Sequence, residues 1–89
     1  MIMRLLGREK LPLLHLEGEK VRKWISSWVS EISRASWKVP LDLIEQYPSV
    51  EMKEDGLYVF SVCESGIFLE VRIAFAQGVA VITAIVKKI

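Results

Sequence analysis

Residues 67–86 read IFLEVRIAFAQGVAVITAIV, and how these twenty mostly apolar residues fold decides the architecture of the chain. As one helix they approach the length that crosses a bilayer. Glu70 and Arg72 stand near the start of the run, however, and each charge costs on the order of 3 kcal/mol at the centre of a membrane helix. The period points elsewhere. Ile67, Leu69, Val71, Ile73 and Phe75 alternate with Phe68, Glu70, Arg72 and Ala74, the two-residue repeat of a strand with one buried face. Ala76-Gln77-Gly78 then offers a turn with a glycine for positive φ, and Val79 to Val86 is rich in β-branched residues. The stretch predicts a β-hairpin, not a membrane span.

Upstream, Leu57 to Val62 predicts a further strand after the polar turn Glu54-Asp55-Gly56, so the second half of the chain is an antiparallel run of three strands. Glu19 to Ser36 predicts the longest helix. Val21, Trp24, Ile25, Trp28, Val29 and Ile32 recur on it at three- and four-residue steps, which makes that stripe a core face. Arg8 to Leu16 predicts a short helix that Pro12 limits to its first turns, and Met1 to Leu6 predicts a first strand. Pro40, Pro48 and Gly56 punctuate the passage to the sheet.

With 89 residues the chain is read as one domain, 1–89, able to bury about 60–65 per cent of its unfolded surface around a modest core. Hydrophobic residues make up 52% and charged residues 26%, the balance of a packed globular protein. A net charge of +1 exerts no global pull on nucleic acid, so any RNA contact must come from local clusters of Lys and Arg. A single Cys63 excludes an intramolecular disulfide, and one Cys with one His supplies no zinc constellation. No secretory leader is read, because Arg4 and the polar Gly7-Arg8-Glu9-Lys10 interrupt the early apolar residues. The expected location is the cytoplasm.

A second pattern carries a resemblance. Trp28-Val29-Ser30-Glu31-Ile32, Ala35-Ser36-Trp37-Lys38-Val39-Pro40, Asp42 and Tyr47-Pro48-Ser49 stand at a spacing that helix-building alone does not require. Met3-Arg4-Leu5-Leu6 and Tyr58-Val59-Phe60-Ser61-Val62 flank them. Over nearly its whole length the sequence resembles the HigB-type toxins of the RelE/ParE superfamily. The resemblance implies an α+β fold with one N-terminal strand, two helices and a three-stranded antiparallel run that closes a small mixed sheet. It also implies a ribosome-dependent mRNA endonuclease, paired with a helix-turn-helix antitoxin and acting on mRNA at the ribosome. No cofactor is implied.

The resemblance departs where the chemistry of such toxins sits. They typically carry an arginine in each of two strands, a Thr-His pair near the end and a Glu-Tyr-Asp tail. At the corresponding places this chain has Ile67-Phe68-Leu69, Ile82-Thr83 and Lys87-Lys88, and it stops at Ile89. Cleavage of this kind needs the 2′-hydroxyl deprotonated, the five-coordinate phosphate neutralised and the leaving oxygen protonated. If Phe60 and Val62 face the helices, Ser61 and Cys63 face outward. Phe68, Glu70 and Arg72 then share that outer face with Val81, Thr83, Ile85 and Lys87. Arg72, with Lys87 and Lys88, is the candidate for a relocated phosphate clamp, against which Glu70 is poised to pair with Arg72 or Lys87. Arg22, Lys23, Arg34 and Lys38 are candidate RNA contacts.

Two functions follow. One is the mRNA endonuclease; the other is a catalytically inactive domain of the same fold that binds an antitoxin, a ribosome or itself. Phe68, Val81 and Ile85 on the outer face favour cover by a protein partner or a second copy in a homodimer. His15, among leucines, reads as a half-exposed helix residue, and Cys63 as a small apolar filler. Asp42, Glu45, Glu51 and Glu54 lack the spacing of metal ligands, so no metal is expected.

Overall fold

The computed structural model describes residues 2–63 and 65–88, without the side chains of Leu13 and His15; the reading of His15 therefore lies outside the described residues. Strand β1 (Arg4–Leu6) leads into a 3-10 helix (Arg8–Glu17), helix α1 (Glu19–Arg34) and helix α2 (Pro40–Gln46). Strands β2 (Glu51–Glu54), β3 (Leu57–Val62), β4 (Ile67–Ala74) and β5 (Val79–Lys87) follow. The sheet order is β1-β5-β4-β3-β2, with β1 parallel to β5 and every other pair antiparallel. The α+β class and mixed sheet are those expected, and residues 67–86 form the hairpin β4–β5.

One face of the sheet is closed by α1. Val21, Ile25, Trp28 and Ile32 are its buried stripe, and they share one core with Tyr58, Phe60, Val62, Leu69, Val71 and Ile82. The Trp28 indole meets the Phe60 ring edge-on at 5.3 Å between centroids, and Trp24 stacks on Trp28 at 6.1 Å. Trp28 Nε1 is buried with no hydrogen-bond partner among the described residues.

Four local features differ from the sequence expectations. The segment Arg8–Glu17 is not a short helix cut off at Pro12 but a ten-residue 3-10 helix. Pro12 has no N–H to give to an α-helical ladder, and the tighter winding is seen from Lys10 N donating to Gly7 O at 3.2 Å. Residues 40–46 form a helix, α2, within the passage that Pro40 and Pro48 punctuate. Pro40 occupies the first helical turn, where its missing N–H costs nothing, and Asp42 Oδ2 accepts from the N–H groups of Lys38 (2.9 Å) and Val39 (3.4 Å). Strand β2 is an additional edge strand whose four residues are all exposed, so no apolar alternation announces it.

The fourth difference repositions the end of the chain. In the β4–β5 ladder Glu70 pairs with Ala84 and Val71 with Ile82, leaving Thr83 as the extra residue of a β-bulge. Its hydroxyl donates to Glu70 O at 3.1 Å. An inserted residue reverses which face the following side chains take. Ile85, opposite the buried Leu69, and Lys87, opposite the buried Ile67, therefore lie on the helix side, not on the outer face where unbroken alternation puts them. Ala84, Val86 and Lys88 take the outer positions instead.

Candidate functional site

The residues carrying the toxin resemblance gather where α1 hands over to the sheet, and their work there is structural. Ala35 is buried, and its carbonyl accepts the Met3 N–H at 2.7 Å. Trp37 is buried, donates Nε1 to Gln46 Oε1 at 3.0 Å and meets the Tyr47 ring edge-on. Tyr47 packs edge-on against Phe60 and donates its hydroxyl to Glu31 on α1. Burial, then the hydrogen bond to Glu31, then that carboxylate's charge push the Tyr47 phenol above its ordinary range. Asp42 holds the start of α2. Together they fix α1 and α2 against the sheet.

The opposite, outer face is the candidate site. On β4 it carries Phe68, Glu70 and Arg72, as expected; β3 adds Val59 and Ser61, and β5 adds Val81, Ala84 and Val86. A shallow groove between β2 and the end of β5 is lined by Glu51, Lys53, Val59, Phe68, Glu70, Val86 and Lys88. Lys88 Nζ stands 5.4 Å from the centre of the Phe68 ring, a cation over an aromatic face. At the far edge exposed Arg4 belongs to the same face, in register with Val79.

The three clamp candidates are not brought together. Arg72 Nη2 pairs with Glu54 Oε1 at 3.2 Å, and its Nη1 donates to Asp55 O at 3.3 Å. Lys87, on the other face, bonds Glu17 at the end of the 3-10 helix at 2.8 Å. Of the three, Lys88 alone stands beside Phe68. Glu70 pairs with neither Arg72 nor Lys87 but with Lys53, at 3.3 Å. Cys63 also departs from expectation: its φ of +41° turns the chain at the end of β3, and the side chain packs against the core, in a groove with Val21 and Lys20, rather than facing outward.

The other cations lie on the helical side. Lys23 pairs with Glu19 at 3.4 Å, one helical turn away. Arg34 is exposed in the last turn of α1, and Lys38 is exposed in the passage to α2, beside a groove with Met3, Trp37 and Phe75. Arg22 lies next to the 3-10 helix, across a groove from Arg8. These four do not form one patch on the outer face. Sequence reading missed Phe68 with Lys88 as a pair, Lys53 as the partner of Glu70, and Arg8, which bridges to α1 by donating to Ser33 Oγ at 2.8 Å. The polar run of β2 was the available signal for Lys53.

The family model of HigB toxins, the RelE-like toxic component of a toxin-antitoxin system, matches residues 21–87, from within α1 to the end of β5. The chain belongs to the HigB toxin family. No curated protein matches it. Membership in the HigB family implies an antitoxin as partner, and it agrees with the α+β fold and mixed sheet described above. In this HigB-family chain no helix among the described residues is long and apolar enough to cross a membrane.

Proposed function

We propose that this chain is the toxin-side partner of an antitoxin, that it presents its outer sheet face to the ribosome and its mRNA, and that it binds there without a complete nuclease site. The observation that carries this reading is the separation of Lys87 from Arg72 by the bulge at Thr83. One cation is bound to Glu17 on the helix side and the other to Glu54 at the sheet edge. A phosphate clamp needs uncommitted cations converging on one point, and losing one stabilising donor costs roughly 3 kcal/mol of barrier. At the two strand positions where such toxins carry arginine stand Phe68, an apolar ring, and Thr83, whose hydroxyl is given to a backbone carbonyl.

A second reading, a working ribosome-dependent mRNA endonuclease, is favoured by Lys88 over Phe68. An aromatic face stacks an unpaired base and an adjacent ammonium meets its phosphate, which is the equipment of single-strand binding. Phe68, Val59, Val81 and Val86 are each partly exposed, so the same face also suits cover by a partner protein or a second copy.

Expression in a bacterial host separates the two readings. The first expects unimpeded growth with soluble protein that co-purifies with the product of the neighbouring antitoxin gene. Growth arrest relieved by that product would favour the nuclease.

A further inference from the structure

Between the 3-10 helix and α1 runs a groove of about 300 Å³ whose floor is Leu11, Leu14, Ile25 and Val29. Arg8 and Arg22 flank it, both exposed, and neither is paired with a carboxylate among the described residues. Arg8 is anchored at Ser33, eleven positions along α1 from Arg22, which sets the two points on α1 where the cations are held about 16 Å apart at 1.5 Å of helical rise per residue. We infer that this groove seats an acidic, amphipathic peptide segment of the partner protein, apolar side chains on the floor and a carboxylate on each arginine.

Charge complementarity selects this occupant. An Arg guanidinium offers a planar fork that matches a carboxylate, and the span of about 16 Å fits two acidic residues about five apart in an extended segment at about 3.3 Å per residue. The aliphatic floor between them is desolvated by apolar side chains of the same segment. Single-stranded RNA suits the groove less well: among the described residues the lining holds no aromatic ring for a base to stack on, and two separated cations do not track a phosphate chain. Arg22, a candidate RNA contact from sequence, is thereby assigned to protein. The inference rests on the reading of the chain as an antitoxin-bound toxin, and it places that contact on the face opposite the RNA-facing one.

The test is fluorescence anisotropy with a labelled synthetic peptide that has an apolar centre of leucine and valine and two glutamates about five residues apart. Saturable binding is expected, weakened at least tenfold by Arg8→Gln, by Arg22→Gln and by glutamine in place of the peptide's glutamates. Lys53→Ala and Lys88→Ala, on the other face, are expected to leave it unchanged, and circular dichroism checks that each variant is folded. Absence of saturable binding would overturn the inference, as would equal binding of the glutamine peptide. So would a labelled single-stranded oligoribonucleotide whose binding depends on Arg8 and Arg22. An antitoxin complex that survives both arginine changes would also reject this seat, while leaving the outer-face reading intact.

Discussion

Lys87 Nζ reaches both carboxylate oxygens of Glu17, at 2.8 and 3.0 Å, and so ties the last strand to the end of the 3-10 helix. Lys87 is half exposed, and exposed ion pairs are worth about 0.2–1 kcal/mol. Lys87→Ala is expected to lower the unfolding free energy in urea by no more than about 1 kcal/mol. The RNA binding proposed for the outer face should be unaffected. A matching loss of RNA affinity would return Lys87 to that face.

Trp28, on α1, is almost completely buried against Phe60, with its indole N–H unpartnered among the described residues. Trp28→Ala removes the largest fully buried side chain of the core, for which about 3–5 kcal/mol is usual. Trp28→Phe loses some volume but also removes an unsatisfied buried donor, whose burial costs about 1–3 kcal/mol. The Phe variant is therefore expected to fall within about 1.5 kcal/mol of wild type by denaturant titration, far above the Ala variant.

Asp42 accepts two backbone N–H groups ahead of α2. Replacing such a capping side chain by alanine costs about 0.5–2 kcal/mol. Asp42→Ala should lower the thermal midpoint by a few degrees. Hydrogen exchange should quicken first at the start of α2, and a variant protected there as well as wild type would remove Asp42 from the role of anchor.

Two phenols give the fold an alkaline limit. Burial, reinforced by Glu31, raises Tyr47 above its ordinary value of 10.0, and burial with the charge of Asp55 raises Tyr58. A group whose folded pKa lies above its unfolded one contributes stability that is complete below the unfolded value and fades as pH rises past it. Stability should be level through neutral pH and fall above about pH 10. Tyr47→Phe should flatten that fall, as read from urea midpoints between pH 8 and 11.

The hairpin of residues 67–86 and the stripe on α1 were legible because each buries one face of a regular element, and a buried face leaves its period in the sequence. Helix α2 was hidden because Pro40 reads as a break yet sits at the one helical position that tolerates it. Strand β2 has no buried side to record. The bulge at Thr83 left no trace, since threonine suits a regular strand equally well, and that one residue moved Ile85 and Lys87 to the other face. Nothing local points Lys87 to Glu17, seventy positions earlier. The pattern from Trp28 to Tyr47 was legible because Trp28, Ala35, Trp37, Asp42 and Tyr47 hold the helices on the sheet. Among the described residues no helix packs against the outer face, so packing left no pattern there to read.

The outer face is best judged by incubating the protein with a purified translation reaction and mapping mRNA ends, alongside Arg72→Ala and Lys88→Ala. Binding to ribosomes with intact mRNA in every case is the expected result. Codon-phased cleavage by the wild-type chain, lost in Lys88→Ala, would contradict it and place a working nuclease beside Phe68.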